Sequence, residues 1–399
     1  MNESQRYNTN HIAQEILNRC LKGAPPDELP RELLEEPDGQ SLFGVLAEGL
    51  ADRFEPALCG IYTRLFARAV SQAADGWAPA ALIERYEQAR HVRPIAGEPA
   101  RIFVLSRVTL GADVAVTSVL LDAAKRRFPR AEIVLVGPAK NYELFAADGR
   151  IRHVPLAYRR GSLRERLAVL PELKALVGEP DSAVIDPDSR LTQLGLLPVC
   201  PEERHYLFES RAYGGESERT LAELTAEWAA ATFGIEGARP YVALSQRQQA
   251  EGHFAVSLGV GENPAKRVPN PFEEELLSLL GTTGAPIWID QGAGGEEAAR
   301  VDRAIARSGV RVKRWSGSFA GFASLIAAGR MYVGYDSAGQ HVAAAAGVPL
   351  ISIFAGFPSS RMFHRWKPQG SHVRVIRVDC PDPKATLERV RRQLTELGA

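Results

Sequence analysis

From about Asn10 to Gln88, apolar residues recur every three to four positions, as in HIAQEILNRCL, LFGVLAEGLADRF and ALCGIYTRLFARAV. The Pro-rich break APPDELP interrupts them, and no strand-like run occurs between them. That spacing lays one apolar stripe along each segment and predicts an all-helical region. The pattern changes after the link RPIAGEP, where RIFVLSRV begins at Arg101 as a continuous apolar, β-branched run. Such a run suits a strand covered on both faces in a parallel sheet. Next come the helix VAVTSVLLDAAKRRF, the strand AEIVLVG, a helix around Asn141 to Ala147 and the strand SAVIDPD.

After the long helical segment ERTLAELTAEWAAATFG, the alternation restarts with HFAVSLGVG. It continues through FEEELLSLLGTT, APIWIDQG, EEAARVDRAIARSG, VRVKRWSG, FAGFASLIAAG, RMYVGYDS, GQHVAAAAG and VPLISIFAG. Alternating strands and helices imply parallel sheets. The last segment, PKATLERVRRQLTELG, opens with Pro, ends in Gly and puts Leu387, Val390, Leu394 and Leu397 on one face of a terminal docking helix. The organisation read from the sequence is a helical region over 1–98, an α/β domain over 99–236, a second over 237–378 and the terminal helix over 379–399. Two doubly wound sheets place function on strand-to-helix turns facing a cleft.

Composition narrows the partners. The chain has 399 residues, long enough for more than one core, with 48 basic and 48 acidic side chains. No overall field draws it to nucleic acid. Cys20, Cys59, Cys200 and Cys380 are far apart and form no C-x-x-C pair, so neither a zinc knuckle nor a disulfide framework is indicated. The first residues hold no apolar signal core and no stretch reaches the roughly 18 apolar residues of a membrane span, which points to the cytoplasm. The basic stretches KRRFPR (Lys125 to Arg130) and YRRGSLRER (Tyr158 to Arg166) suit an anionic acceptor or membrane surface, or else are solvated helix faces and loop edges.

The Gly-rich turns argue against the standard nucleotide fingerprints. TLGADVAVT lacks G-x-G-x-x-G, and no acidic residue ends the next strand. In GVGENPAKR the glycines Gly259 and Gly261 are followed by Pro264 and Ala265, and no glycine precedes Lys266 as a Walker loop requires. Two flexible glycines, a lysine and a following helix can still hold phosphate. In RMYVGYDSAGQHVAAAAG a strand delivers Asp336 and Ser337 to its tip, and a small-residue helix follows with His341 in its first turn. Asp336 or Ser337 could simply cap that helix, and His341 could be a core histidine. Asp113, just past the first strand, is placed to take a proton from an attacking hydroxyl, or to cap a helix.

From about Arg101 onward these pieces resemble glycosyltransferase family 9, the ADP-heptose heptosyltransferases of lipopolysaccharide core synthesis. The segment GADVAVTSVLLDAAKRRFP is similar to the family's G-D-V turn, helix and R-x-x-P, with one residue inserted before Asp113. GVGENPAKR is similar to the family's lysine loop, and DSAGQHVAAAAGVP, Asp336 to Pro349, to D-S-G-x-x-H-x-A-A-A-x-G-x-P, with Ala338 where the family has glycine. VIDPDSRLTQ resembles a segment on the family's acceptor side.

The resemblance implies a GT-B fold of two Rossmann-like domains, with the helical region as an addition. It implies inverting, metal-independent transfer with Asp113 as base. Donor contacts would come from Gly259, Gly261, Lys266, Asp336, Ser337, Ala338, Gly339 and His341. The ribose contact falls in QGAGGEE, at Gly294 or Glu296. Acceptor contacts would come from Thr117, Asp186 and Arg190. The expected partners are an ADP-linked nucleotide-sugar as substrate and a glycan or glycolipid acceptor, with peripheral contact at the inner membrane face, no cofactor and no nucleic acid. Another nucleotide-sugar, a protein acceptor, or a non-catalytic sugar-nucleotide scaffold are the alternatives.

Overall fold

The computed structural model describes residues 3–245, 252–261, 263–292 and 294–398. The chain divides into two compact units. One comprises Met1–Thr109, Val119–Tyr142 and Arg150–Arg239; the other comprises Leu110–Ser118, Glu143–Gly149 and Pro240–Ala399.

The first unit holds strands β1 (Arg101–Leu105), β2 (Glu132–Gly137), β3 (Ile151–Pro155), β4 (Ser182–Asp186) and β5 (His205–Leu207). They pair in parallel in the order β3-β2-β1-β4-β5. The residues before β1 form helices, including Glu3–Leu21, Pro56–Ala73 and Pro79–Ala89; the last two start on proline, whose fixed φ and missing N–H suit a first helical turn. Their apolar faces do not form a core of their own. Leu17, Leu46, Leu65 and Phe66 share one buried cluster with Phe103, Val134, Val184 and Leu207 of the sheet.

The second unit holds β6 (Phe254–Ser257), β7 (Ile287–Asp290), β8 (Lys313–Trp315), β9 (Met331–Tyr335), β10 (Leu350–Ala355) and β11 (Val373–Val378). These are also parallel, in the order β11-β10-β9-β6-β7-β8. The terminal helix Pro383–Glu396 is capped by Asp382 and buries Val390 and Leu394 in this unit's core. In each sheet the strand order reverses beside the unit's first strand, between β1 and β4 and between β6 and β9. Ligands of such sheets bind beyond the carboxyl ends of the strands at that reversal.

Two details differ from the sequence reading. Strands β3, β5 and β11 were not anticipated. All three are edge strands; Arg152 and His153 interrupt the apolar pattern of β3, Arg374 and Arg377 that of β11, and β5 is only the three residues His205–Leu207. The helix expected to reach Ala147 spans only Ala139–Tyr142, because backbone bonds to another segment take over: Ala243 N–H donates to Leu144 O and Ala147 N–H to Ala243 O.

Candidate active site

The most concentrated chemistry lies at the carboxyl ends of β6 and β9. Lys266 ends the short 3-10 turn Pro264–Lys266, which Asn263 caps by accepting from Ala265 N–H. Its Nζ lies 2.7 Å from Asp336 Oδ2, one residue past β9. Asp336 is 5% exposed, and its other oxygen accepts a hydrogen bond from Gln340. Gln340 in turn accepts from Ser352 Oγ at 2.5 Å, so its amide orientation is set from β10.

The helix Ala338–Ala345 begins beside this pair. Ser337 occupies its N-cap position, yet its side chain makes no cap hydrogen bond and instead lies 3.2 Å from the Tyr332 hydroxyl. Simple capping by Ser337 therefore does not account for the cluster. The Gly339 requirement has a packing cause: a Cβ there would sit 2.5 Å from the buried Tyr332 hydroxyl. His341 is 8% exposed and stands edge-on to the Trp366 ring at 5.7 Å. Burial lowers its pKa to about 4, opposed by Asp336 and reinforced by Lys266, so the ring is neutral at pH 7.

Asp113 opens the π-turn Asp113–Thr117. Its Oδ1 accepts from Thr117 Oγ1 at 2.5 Å, and both side chains are buried. The turn belongs to the same unit as His341: a Cβ on Gly111 would lie 3.1 Å from His341 Cδ2 and 3.2 Å from Ala338 Cα. The structure thus brings Asp113 and Thr117, Lys266, and Asp336 through His341 into one unit.

Gly261 takes φ +61 with open space around it, while Gly259 faces Glu297, whose Oε1 would be 2.6 Å from an added Cβ. Glu296 and Gly294 are exposed. The carboxylate turned toward the Gly259 loop is that of Glu297, the residue after Glu296. Nearby, burial pushes the Asp290 carboxyl above its ordinary value, with Glu297 adding to the effect.

The sequence reasoning also missed Gly356, after β10. Its φ is +66, and a Cβ there would collide with the Ala265 carbonyl and lie 2.7 Å from Lys266 N. The signal available in the sequence was the lone glycine of FAGFP after a buried strand.

In the first unit, Asp186 is fully buried and committed to its own turn, accepting from Ser189 N–H at 2.7 Å and Thr192 Oγ1 at 2.6 Å. Arg190 is paired with Glu48 of the helical region at 2.8 Å. Of the basic stretches, Arg126 donates to Glu236 O and Arg127 pairs with Glu98. Arg166 is buried with its guanidinium 3.4 Å from the Phe43 ring centroid, leaving Arg159, Arg160 and Arg164 exposed. Among the described residues, no group of three or more His, Cys, Asp or Glu is placed to hold a metal, and no helix is long and apolar enough to cross a membrane.

Residues 204–392 match the model of glycosyltransferase family 9 (heptosyltransferase), a span that includes Lys266 and Asp336 through His341 but not Asp113. No curated protein matches the chain. Among solved structures, E. coli heptosyltransferase WaaC with ADP-2-deoxy-2-fluoro heptose is 19% identical, with a TM-score of 0.56, covering 75% of this chain and 100% of its own. E. coli ADP-heptose lps heptosyltransferase II is 20% identical with a TM-score of 0.53, covering 75% and 100%. A glycosyl transferase family 9 protein from Veillonella parvula is 15% identical with a TM-score of 0.54, covering 77% and 99%. These likenesses establish a GT-B type fold with a helical region added in front. The match of residues 204–392 to the family model supports a glycosyltransferase, and the chain is similar in fold to the heptosyltransferases of family 9.

Proposed function

We propose that the chain transfers heptose from ADP-heptose to a glycan or lipopolysaccharide-type acceptor, with inversion and without a metal ion. The observation that carries this reading is the Lys266–Asp336 pair at the reversal point of the second sheet, beside the start of Ala338–Ala345. The first amides of that helix, the Lys266 ammonium and the Ser337 hydroxyl are the groups that would meet the diphosphate as it leaves. The preference for an adenosine donor draws on the two E. coli WaaC structures that hold ADP and a fluoro-analogue of ADP-heptose.

Asp113 is the base in this mechanism. The acceptor hydroxyl attacks the anomeric carbon, its proton passes to the Asp113 carboxylate, and the bond to the ADP oxygen breaks. Thr117 orients that carboxylate through its 2.5 Å hydrogen bond. His341, neutral at pH 7, takes part by hydrogen bonding and not by charge. We place the reaction in the cytoplasm, with the acceptor at the inner membrane face.

Thermal shift of the purified protein against ADP, UDP, GDP and ADP-heptose tests the donor, since a ligand that binds only the folded state raises apparent stability. The expected result is a shift with ADP and ADP-heptose that disappears in Lys266→Ala. A preference for UDP or GDP replaces the adenosine donor, and no shift with any nucleotide removes the transferase assignment of this site.

A further inference from the structure

Glu273 is the second residue of the helix Phe272–Gly281 and is 1% exposed. A single oxygen, Oε1, receives three donors: Arg267 Nε at 3.1 Å, Arg300 Nη1 at 2.5 Å and the Tyr335 hydroxyl at 3.2 Å. Each donor has a further connection. Arg300 donates its other terminal nitrogen to Leu258 O at 2.7 Å, immediately after β6. The Tyr335 hydroxyl accepts from Val268 N–H at 3.3 Å and belongs to the residue before Asp336. Arg267 directly follows Lys266. Arg300 lies on the helix Gly295–Ser308, whose first turn carries Glu297 against Gly259.

One buried carboxylate therefore fastens both ends of the loop that carries Lys266, the strand end that carries Asp336, and the helix that carries Glu297. A carboxylate in the first turn of a helix is favoured by the helix dipole alone. That benefit requires neither burial nor two arginines drawn from separate segments. A charge buried at this depth needs full pairing, so the positions of its partners are tightly set. Charge-assisted hydrogen bonds of this kind also fix direction as well as distance.

We propose that Glu273 is a positioning residue that sets the geometry between Lys266 and Asp336 and thereby the affinity for the nucleoside diphosphate. The proposal rests on the reading of that pair as the donor site. Glu273 touches neither donor nor acceptor; it acts through Arg267, Arg300 and Tyr335.

The experiment compares wild type, Glu273→Gln, Tyr335→Phe and Lys266→Ala. Tyr335→Phe keeps the carboxylate between its two arginines and serves if Glu273→Gln does not fold. ADP affinity is measured by calorimetry well below each unfolding temperature. Amide hydrogen exchange over 254–268 and over the helix Pro56–Ala73 of the first unit is measured without nucleotide. The expected result is at least a tenfold weaker ADP affinity in Glu273→Gln, a smaller loss in Tyr335→Phe, and faster exchange in 254–268 with the helix Pro56–Ala73 unchanged. A purely structural Glu273 lowers the unfolding temperature while the folded protein binds ADP as wild type does; that result overturns the proposal. If wild type itself fails to bind ADP, the donor reading falls separately. The exchange data then decide Glu273, with local loosening supporting the clamp and uniform loosening overturning it.

Discussion

The Lys266 ammonium lies 2.7 Å from the Asp336 carboxylate, and the two side chains are 18% and 7% exposed. They come from positions 70 residues apart, joined only because β6 and β9 are neighbours in the sheet. Removing Lys266 leaves a buried carboxylate with the Gln340 amide as its remaining partner. Lys266→Ala is expected to cost about 1–3 kcal/mol, the range for leaving a buried polar group without its partner. Chemical denaturation reads that loss, and Lys266→Ala/Asp336→Asn should recover part of it, since the unpaired charge is then gone. A double variant as unstable as the sum of the single variants would contradict the pairing.

His341 supplies a pH dependence whose sign follows from its burial. Its pKa falls from 6.5 to about 4 in the folded protein. Below pH 6.5 the unfolded chain binds a proton that the folded chain refuses, so this contribution is complete above pH 6.5 and is lost as pH falls toward 4. At ~1.36 kcal/mol per unit, the loss over that window is roughly 3 kcal/mol. Unfolding temperatures of wild type and His341→Gln between pH 7.5 and 4 check it. The variant should show a shallower acid slope, and parallel slopes would show that other groups dominate.

The alternation of strands and helices was legible because central parallel strands such as RIFVL and EIVLVG are apolar on both faces. DSAGQHVAAAAGVP was legible because strand tip, polar pair and small-residue helix are contiguous. What could not be read was set by distant partners. Whether Glu296 or Glu297 faces the Gly259 loop depends on where the helix Gly295–Ser308 begins, a single-residue question that the run of four small residues 292–295 leaves open in the sequence. The commitment of Asp186 to Ser189 and Thr192 is a turn made within seven residues, yet nothing in residue type separates it from a ligand contact. The sharing of one core by the helical region and the first sheet lies in tertiary packing, beyond any local pattern.

Gly356 tests how closely the Lys266 loop is held. Its left-handed backbone alone makes any side chain cost about 1–3 kcal/mol. An added methyl also meets backbone of Ala265 and Lys266, which cannot rotate away as a side chain could. Gly356→Ala is therefore expected to lower the unfolding temperature and to weaken nucleotide binding together. Gly347, at φ +72 with open space around it, is the control: Gly347→Ala carries the backbone cost alone. Equal nucleotide shifts in the two variants would mean that the Lys266 loop tolerates displacement.

In the first unit, Arg211 and Asp188 form a two-pronged pair, with Nε 3.0 Å from Oδ2 and Nη2 3.1 Å from Oδ1. Both are essentially buried, and Arg211 also donates to Leu194 O and the Tyr86 hydroxyl, so it ties the turn after β4 to the helix Pro79–Ala89. Asp188 itself takes φ +64, a conformation that glycine adopts without strain. Asp188→Gly thus removes the carboxylate while relieving the backbone; the largest remaining cost is that of an unpaired buried guanidinium, about 3–5 kcal/mol, beside the lost bonds from Ser210 Oγ and Arg211 N–H. Asp188→Gly/Arg211→Met removes both charges and is expected to be more stable than Asp188→Gly alone, because the largest part of the single-variant cost is the stranded charge. Denaturant midpoints of the two variants decide this. If the double variant is the less stable, Arg211 holds the turn chiefly through Leu194 and Tyr86 and not through Asp188.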